Sequence, residues 1–238
     1  MKTLAVLAHP ERNSFNGALY DVAQRVFSNN GHEFKGSDLY RLNFNPISDR
    51  HNFKEVKDAA YFKPQIEEMH ASETGTFSDD IAAEMEKLFW ADLLILQFPL
   101  WWFSVPAIMK GWVDRVFAMG KIYGAGKWYD NGVFAGKKAM LSLTTGGGET
   151  MYMEDGMNGH LEQILFPINH GILRFVGFEV LPPFISYSVS RIGDEGRAQY
   201  LSDYEKLLLD IESVKPIQYP PLSDFDESFR LKSKAPSR

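Results

Sequence analysis

The stretch spanning residues 91–117 constrains the fold of this chain more than any other. It begins with the apolar run Leu93–Phe98, which is typical of a strand buried on both faces of a parallel sheet. Three consecutive aromatic residues, Trp101–Phe103, follow where a turn is expected. Ser104 then predicts a helix N-cap, and Pro106 fits the first helical turn because its missing N–H would be unpaired there. The predicted order is buried strand, aromatic loop and helix, with the loop at the strand end where α/β sheets bind ligands.

The composition limits the classes of protein to which this chain can belong. Its 238 residues are 45% hydrophobic, which suits one α/β domain with extra segments or two small domains. The absence of cysteine excludes disulfides, a thiolate nucleophile and cysteine-ligated metals, and it fits the cytoplasm, where we expect this protein. A net charge of −6 without a basic run argues against nucleic acid as a partner. We expect no membrane span, because no apolar run approaches about 20 residues.

Strands and helices alternate along the whole chain. The predicted strands are Thr3–Ala8, His32–Leu39, Leu93–Phe98, Lys137–Leu143 and Phe178–Ile185, the last confined to an edge or to an early end by Pro182 and Pro183. The predicted helices are one from about Phe15 or Asn16 to Ser28 capped by Ser14 or Asn16, a short one in Lys63–Met69, one capped by Ser78 or Asp79 that ends at Phe89 or Trp90, one ending near Ala118, His160–Phe175 kinked at Pro167, and Asp194–Glu212. This alternation predicts a three-layer α/β fold of flavodoxin-like type, with a parallel five-stranded sheet in the order 2-1-3-4-5. Residues 1–215 would form this domain, and residues 216–238 a short C-terminal tail that packs on its surface.

In that strand order, the loops after strands one, three and four lie together. The loop from His9 to Asn16 leads into a helix N-terminus, which favours a phosphate, although a merely capped helix fits the pattern equally well. The loop from Pro99 to Phe103 offers an aromatic wall. The loop from Thr144 to Gly148 offers glycine amides that a ligand could approach closely, whereas a glycine triplet alone would favour a flexible turn. Together the three loops indicate a flavin nucleotide site.

Four segments carry a resemblance to a known family: LAHPERNSFN, QFPLWWFSVPAIMKGWVDRVF, SLTTGGG and FDESF. They resemble the NAD(P)H:quinone oxidoreductase, or DT-diaphorase, family of flavodoxin-like FAD enzymes, over a range from about Lys2 to Phe229. The resemblance implies a homodimer with FAD near the subunit interface and both subunits lining each active site. It also implies two-electron reduction of quinones by NAD(P)H in a ping-pong sequence, with hydride passing through flavin N5.

The resemblance also implies roles for individual residues. The implied contacts to FAD are His9, Ser14, Phe15 and Asn16 at the diphosphate, Pro99, Leu100, Trp102 and Phe103 against the isoalloxazine, Thr144, Thr145, Gly146 and Gly147 on its pyrimidine side, Tyr152 near N1 and O2, and Arg197 and Leu201 near the adenine. The groups assigned to catalysis are Gly146, Gly147, Tyr152 and Asn158. The residues assigned to the quinone and nicotinamide pocket are Trp102, Phe103, Tyr123, Trp128, Met151, Asn158 and Phe175.

Several positions depart from the family pattern. Asn158 stands where the best-known enzyme has a histidine, as in another branch of the family, and an asparagine cannot act as a general acid near neutral pH. Ala125 replaces a pocket tyrosine, which predicts a roomier pocket. The zinc site of the asparagine branch retains only His170, with Arg174 at the second histidine position and no cysteine, so we expect no metal. The sequence stops soon after Phe229, which weakens the expectation for full NAD(P)H and leaves a truncated dihydronicotinamide as an alternative donor.

Two other functions fit the same scaffold. One is an FMN-dependent azo or nitro reductase, for which Arg197 and Leu201 would have no adenine to contact. The other is a flavin-binding ancillary or regulatory subunit. The choice between NADH and NADPH stays open, because no charged residue can be assigned to a 2′-phosphate, and so does the identity of the quinone.

Overall fold

The computed structural model describes residues 1–232, in which a parallel sheet lies between two layers of helices. The strands are β1 (Lys2–Leu7), β2 (Glu33–Asp38), β3 (Leu93–Pro99), β4 (Lys138–Thr144), β5 (Glu179–Val180) and β6 (Phe184–Ser186). The α-helices are α1 (Phe15–Asn29), α2 (Pro64–Thr74), α3 (Asp79–Trp90), α4 (Ala107–Val116), α5 (Leu161–Ile168) and α6 (Gly193–Leu209). Short 3-10 turns occur at Arg50–Asn52, Tyr129–Asn131, Glu149–Tyr152 and Leu222–Asp224.

The sheet has the predicted flavodoxin-like order, β2-β1-β3-β4-β5, with every pair parallel. Strand β3 is buried along its full length, as its apolar sequence predicts, and pairs with β4 from Leu93 opposite Lys138 to Pro99 opposite Thr144. Because the central strands are parallel and in register, their carboxyl ends meet at one edge. That edge carries the three loops that the sequence singled out.

Two hydrophobic clusters, one on each face of the sheet, confirm the three-layer arrangement. On one face, α1 and α6 bury Leu19, Phe27 and Tyr204. On the other face, α3 and α4 bury Ile81 and Trp112. The apolar residues of each helix recur at helical spacing, so that one stripe faces the sheet while the other side meets water.

The predicted fifth strand, Phe178–Ile185, forms two short strands instead of one. Pro182 and Pro183 separate β5 from β6, and both strands pair with β4, so the sheet has six strands rather than five. Proline has no N–H to donate to a ladder, and two in succession interrupt the pairing. The predicted position at the edge of the sheet is correct.

Two helix predictions need correction. Ser104 does not cap α4: its amide donates to the carbonyl of Trp101, and Pro106 occupies the N-cap position without a capping side chain. The aromatic turn therefore uses Ser104 as its closing residue, and the helix begins later. The predicted single helix from His160 to Phe175 ends as an α-helix at Ile168 and continues as a π-helix over Asn169–Arg174, directly after Pro167. Proline removes a backbone hydrogen bond inside a helix, which accounts for the change of geometry near it.

The start of the C-terminal tail contacts the domain. The amide of Ile217 donates to the carbonyl of Val180 over 2.8 Å, and the amide of Leu222 donates to the carboxylate of Asp130. The side chains of Ile217 and Tyr219 pack against the hydrophobic cluster beside α5. The last part of the predicted tail, residues 233–238, lies outside the described residues, and the division at residue 215 stays a prediction.

Candidate functional site

The side chain of Asn16 joins the ends of three strands. Nε2 of Gln97, in β3, donates to Oδ1 of Asn16 over 2.9 Å, and Nδ2 of Asn16 donates to Oγ1 of Thr144, in β4, over 2.9 Å. The amide of Leu100 donates to the carbonyl of Thr144 over 2.8 Å. All three side chains are buried, so these hydrogen bonds are shielded from water. The network fixes the loops after β1, β3 and β4 relative to one another.

The loop after β1 ends in a capped helix whose first amides are free. Ser14 is the N-cap of α1, and its Oγ accepts a hydrogen bond from the amide of Gly17, which decides between the two predicted caps. Within residues 1–232, the amides of Phe15 and Asn16 donate to no protein acceptor. Both amides lie at the N-terminus of α1, the positive end of the helix dipole, where an anionic group is stabilised. Nδ1 of His9 lies 3.0 Å from the amide nitrogen of Glu11, which leaves Nε2 as the ring nitrogen available to a ligand.

The loop after β3 is a two-residue turn with two exposed aromatic rings at its tip. Two hydrogen bonds between the backbones of Trp101 and Ser104, of 3.1 and 3.0 Å, close the turn. Trp102 and Phe103 have φ values of 51° and 58°, a left-handed conformation that costs residues other than glycine about 1–2 kcal/mol each. Trp102 is 96% exposed and Phe103 51%. A strained backbone that presents large apolar rings to solvent is typical of a binding element.

The loop after β4 presents backbone donors next to a buried tyrosine. The side chains of Thr144 and Thr145 are both hydrogen-bonded within the protein. Oγ1 of Thr144 accepts from Nδ2 of Asn16, and Oγ1 of Thr145 donates to the carbonyl of Gly147 over 2.8 Å. Among the described residues, no acceptor receives the amides of Gly146 and Gly147. A Cβ added to Gly146 would meet no atom within 4 Å, whereas one on Gly147 would lie 3.1 Å from Cε2 of Tyr152. The face of Gly146 is therefore open, and Gly147 lets the tyrosine ring come close.

The residues predicted for the substrate pocket fall into two separate groups. Tyr123 and Phe175 pack together, with ring centroids 6.1 Å apart, and line a cavity of about 200 Å³. Trp128 directly precedes the turn Tyr129–Asn131. The amide of Tyr129 donates to the carbonyl of Phe175, which joins this turn to the end of the π-helix. Within the described chain, no ring pair joins this group to Trp102 or Phe103. The cavity of Tyr123 and Phe175 is lined by no residue of the aromatic turn.

The remaining predicted residues lie around these loops. The amide of Asn158 donates to the carbonyl of Met151 over 2.9 Å, which ties the loop after Tyr152 back to the turn Glu149–Tyr152. Arg197, in α6, donates to the carbonyl of Val189 and pairs with Asp194. Leu201 packs into the cluster beneath α6. These contacts hold Arg197 and Leu201 on α6, with Arg197 against the segment that follows β6.

Sequence reasoning missed two buried polar residues. Gln97 is 1% exposed and interrupts the apolar run of β3, and a polar residue inside a buried strand is the signal that could have identified it. Glu68 accepts a hydrogen bond from the amide of Met119 over 2.7 Å and lines the cavity of Tyr123. Burial raises the pKa of the Glu68 carboxyl, against the opposing effect of the Met119 amide, and burial also raises the pKa of the Tyr123 hydroxyl.

His170 and Arg174, at the positions of the family's zinc ligands, make other contacts. The His170 ring stacks on Phe166 with centroids 4.7 Å apart and meets the ring of Tyr219 at 5.0 Å. Arg174 pairs with Asp130, which also receives the amide of Leu222. No group of three metal-binding side chains occurs in the part of the chain that the structure describes, and the absence of a metal stays a prediction. None of the described helices has the length and apolar character to cross a bilayer.

Comparisons with known proteins agree with this geometry. A family model described as a flavodoxin-like fold matches residues 1–208. The chain is 44% identical to NAD(P)H dehydrogenase (quinone) 1 of Rattus norvegicus over 96% of its length and 84% of the relative, and 41% identical to ribosyldihydronicotinamide dehydrogenase (quinone) of Mus musculus over 95% and 98%. A Klebsiella pneumoniae structure solved as a candidate quinone reductase superposes with a TM-score of 0.94 at 41% identity, over 98% of this chain and 94% of that one. This chain therefore belongs to the NAD(P)H:quinone oxidoreductase family of flavodoxin-like enzymes.

Proposed function

We infer that this protein is an FAD-dependent enzyme that reduces quinones by two electrons at the expense of a dihydronicotinamide. The observation that carries this proposal is the network of Gln97, Asn16 and Thr144, which brings three loops with unpaired donors and exposed rings to one edge of the sheet. The named activities of the rat and mouse relatives support the same reaction class. A cytoplasmic location is part of the proposal, supported by the cysteine-free composition.

The residues at this edge have the properties that a flavin requires. The diphosphate needs donors, and the amides of Phe15 and Asn16 with the His9 ring can supply them. The ring system needs a flat apolar wall, and the exposed ring of Trp102 with the half-exposed ring of Phe103 offers one. The open face of Gly146 leaves room for close approach. The donor set, the wall and the open backbone are chemically matched to this cofactor.

Each loop has a separate role in holding the cofactor. His9, Ser14, Phe15 and Asn16 would hold the diphosphate, Pro99, Leu100, Trp102 and Phe103 would contact the isoalloxazine, and Thr144, Thr145, Gly146 and Gly147 would border its pyrimidine side. The side chain of Asn16 is bonded at both ends within the protein, so Asn16 would bind through its amide. Arg197 and Leu201 would lie near the adenine, which distinguishes FAD from FMN.

The protein's own contribution to the reaction is electrostatic and positional. A bound FAD supplies two-electron hydride transfer through N5 in two successive half-reactions. The amides of Gly146 and Gly147 and the hydroxyl of Tyr152 would stabilise negative charge on the pyrimidine side as it develops. Asn158 can donate a hydrogen bond to a quinone oxygen but cannot protonate it, so protons would come from water.

A second copy of the chain would complete the active site. The aromatic turn is exposed, and within the described residues the rings of Tyr123 and Phe175 make no ring contact with it. In a homodimer with a two-fold axis, each site could combine the turn of one subunit with the second group from its partner. Light scattering on the purified protein should therefore give twice the mass of one chain.

Two measurements test the proposal. The flavin released by denaturation should have the mass of FAD, whereas FMN would support an azo or nitro reductase. Anaerobic stopped-flow with NADH, NADPH and a ribosyl dihydronicotinamide should bleach the flavin with at least one donor, and benzoquinone should restore its colour. Bleaching only by the truncated donor would identify it as the reductant. A bound flavin that no donor bleaches would contradict the enzyme and favour an ancillary flavin-binding subunit.

A further inference from the structure

A second cavity, larger than that of Tyr123, lies behind Tyr152. Its volume is about 690 Å³, within the range of sites for small organic ligands, which is roughly 300–1,000 Å³. Its walls are the turn Glu149–Tyr152, helix α5, the corner at Pro182 and Pro183, and the tail at Ile217. Of the residues assigned to the flavin or quinone, only Tyr152 lines it. It is a separate compartment that shares one wall with the proposed flavin site.

The cavity is aromatic and apolar inside. Tyr152 and Tyr187 lie with ring centroids 6.0 Å apart on one side. Phe166 and Tyr219 meet edge to face at 6.5 Å on another. Leu165 forms part of the floor and is fully buried. Rings arranged in this way accept a flat aromatic ligand by stacking or edge contacts.

The charged side chains around the cavity are mainly acidic. Glu149, Glu154 and Glu162 line it, and no lysine or arginine does so within the described residues. His160 also lines it, with Nδ1 3.8 Å from the Glu162 carboxylate. Burial raises the pKa of the Tyr187 hydroxyl, and the negative charge of Glu149 raises it further. Burial likewise raises the pKa of the Tyr219 hydroxyl, where Glu162 adds to the effect and Arg174 opposes it. A cation would be attracted here, and aromatic faces bind cations in addition.

A buried acceptor in the wall has no partner. Asn169 is 5% exposed and lines the cavity, and its Oδ1 receives no hydrogen bond from any described residue. Leaving such a group unpaired costs about 1–3 kcal/mol. Oδ1 is closed to solvent, so a turn of the Asn169 side chain that presents it to a ligand N–H in the cavity would relieve the cost. Asn169 is independent of the glutamates, and it points to a ligand that donates a hydrogen bond as well as carrying positive charge.

We propose that this cavity is a binding site for a planar cationic aromatic amine. The ligand stacks between the tyrosine and phenylalanine rings, its charge faces the glutamates and its N–H reaches Asn169. Because Tyr152 separates the two compartments, an occupant also changes the affinity for the flavin, and this part rests on the proposed function. By linkage, the flavin then changes the affinity for the occupant by the same factor.

Proflavine, a planar monocation with two aromatic amino groups, is a suitable probe for calorimetric titration. Glu154→Gln/Glu162→Gln should weaken its binding at least fivefold, and the matched pair Glu86→Gln/Glu212→Gln, which removes two exposed charges elsewhere, should not. Asn169→Leu removes the unpaired acceptor without leaving a partner unsatisfied, so the protein should stay folded while proflavine binding weakens. Trp102→Ala should leave the proflavine affinity unchanged.

The outcomes separate this inference from the proposed function. Equal affinity for all glutamate variants, or loss of binding in Trp102→Ala, would place proflavine at the aromatic turn and overturn the cavity site. Titration of flavin-bound and flavin-free protein should give affinities that differ several-fold, and equal affinities would overturn the coupling through Tyr152. If the protein bound no flavin, the proposed function would fail, but the glutamate and Asn169 variants would still decide whether the cavity binds the cation.

Discussion

Gln97 and Asn16 are joined by a hydrogen bond of 2.9 Å between Nε2 and Oδ1, buried beneath all three candidate loops. Gln97→Leu would leave Oδ1 of Asn16 unpaired, and the free energy of unfolding should fall by about 1–3 kcal/mol. It should also raise the dissociation constant for FAD at least tenfold, because Asn16 would no longer hold the loops in register. Urea denaturation of the flavin-free protein and a fluorescence titration with FAD measure the two effects.

Ser37→Ala is the matched control for this variant. Ser37, near the end of β2, is equally buried and donates to Oε2 of Glu84 over 2.7 Å, and it makes no hydrogen bond to the network of Asn16, Gln97 and Thr144 within the described residues. Its loss should lower stability while the FAD dissociation constant stays the same. If Gln97→Leu behaved in the same way, the network would serve the core alone and not the cofactor.

Gly146 and Gly147 should respond differently to a methyl group. In Gly146→Ala the new Cβ meets no protein atom, so the free energy of unfolding should change by less than about 0.5 kcal/mol, while FAD binding weakens because the methyl occupies the open face. In Gly147→Ala the Cβ would lie 2.9 Å from Sδ of Met151, so both stability and FAD binding should fall. Parallel denaturation and FAD titrations compare the two variants, and unchanged FAD binding in Gly146→Ala would argue against that face.

Variants of Trp102 should separate the effect of the backbone conformation on stability from the effect of the ring on activity. Glycine tolerates the φ of 51° at position 102 better than alanine, so flavin-free Trp102→Gly should be more stable than Trp102→Ala by about 1 kcal/mol. Both variants lose the ring, so both should lower kcat/KM for quinone reduction at least tenfold. Denaturation and steady-state kinetics measure these quantities. A wild-type rate in either variant would show that Trp102 does not contact the reacting rings.

The buried Glu68 should make stability depend on pH. Its folded-state pKa lies above the ordinary value of 4.5, so the folded protein binds this proton more tightly than the unfolded chain. The stabilisation is therefore complete below pH 4.5 and is lost as pH rises through the raised pKa. Glu68→Gln keeps an acceptor for the Met119 amide and carries no charge. The unfolding free energy of Glu68→Gln minus that of the wild type should increase between pH 4 and pH 7. If the two proteins gave parallel curves of unfolding free energy against pH, the raised pKa of Glu68 would be contradicted.

The fold was predictable because its signals are local. The apolar run of β3, the strand and helix alternation and the cap at Ser14 each depend on near neighbours in the chain, and all are confirmed. Two errors arose where neighbours compete. Ser104 has the side chain of an N-cap, but its backbone closes the aromatic turn. The residues after Pro182 and Pro183 pair with β4 again as a separate sixth strand, which the sequence did not indicate.

The site was predictable only in part, because its geometry depends on contacts between distant segments. The loops themselves could be identified from strand ends. The role of Gln97 could not, since its partner Asn16 is 81 positions away, and hydrogen bonding of buried polar groups is decided in three dimensions. The separation of Tyr123 and Phe175 from Trp102 likewise depends on packing that no short motif records.

The two hydrogen bonds between Trp101 and Ser104 also affect the rate of binding. A turn of two residues closed at its base has little conformational entropy left to lose, so the rings are in place before a ligand arrives. A ligand meeting this turn needs no slow ordering of the loop, unlike one captured by a mobile lid. Its observed association rate should rise linearly with ligand concentration, limited by encounter rather than by a change of protein shape.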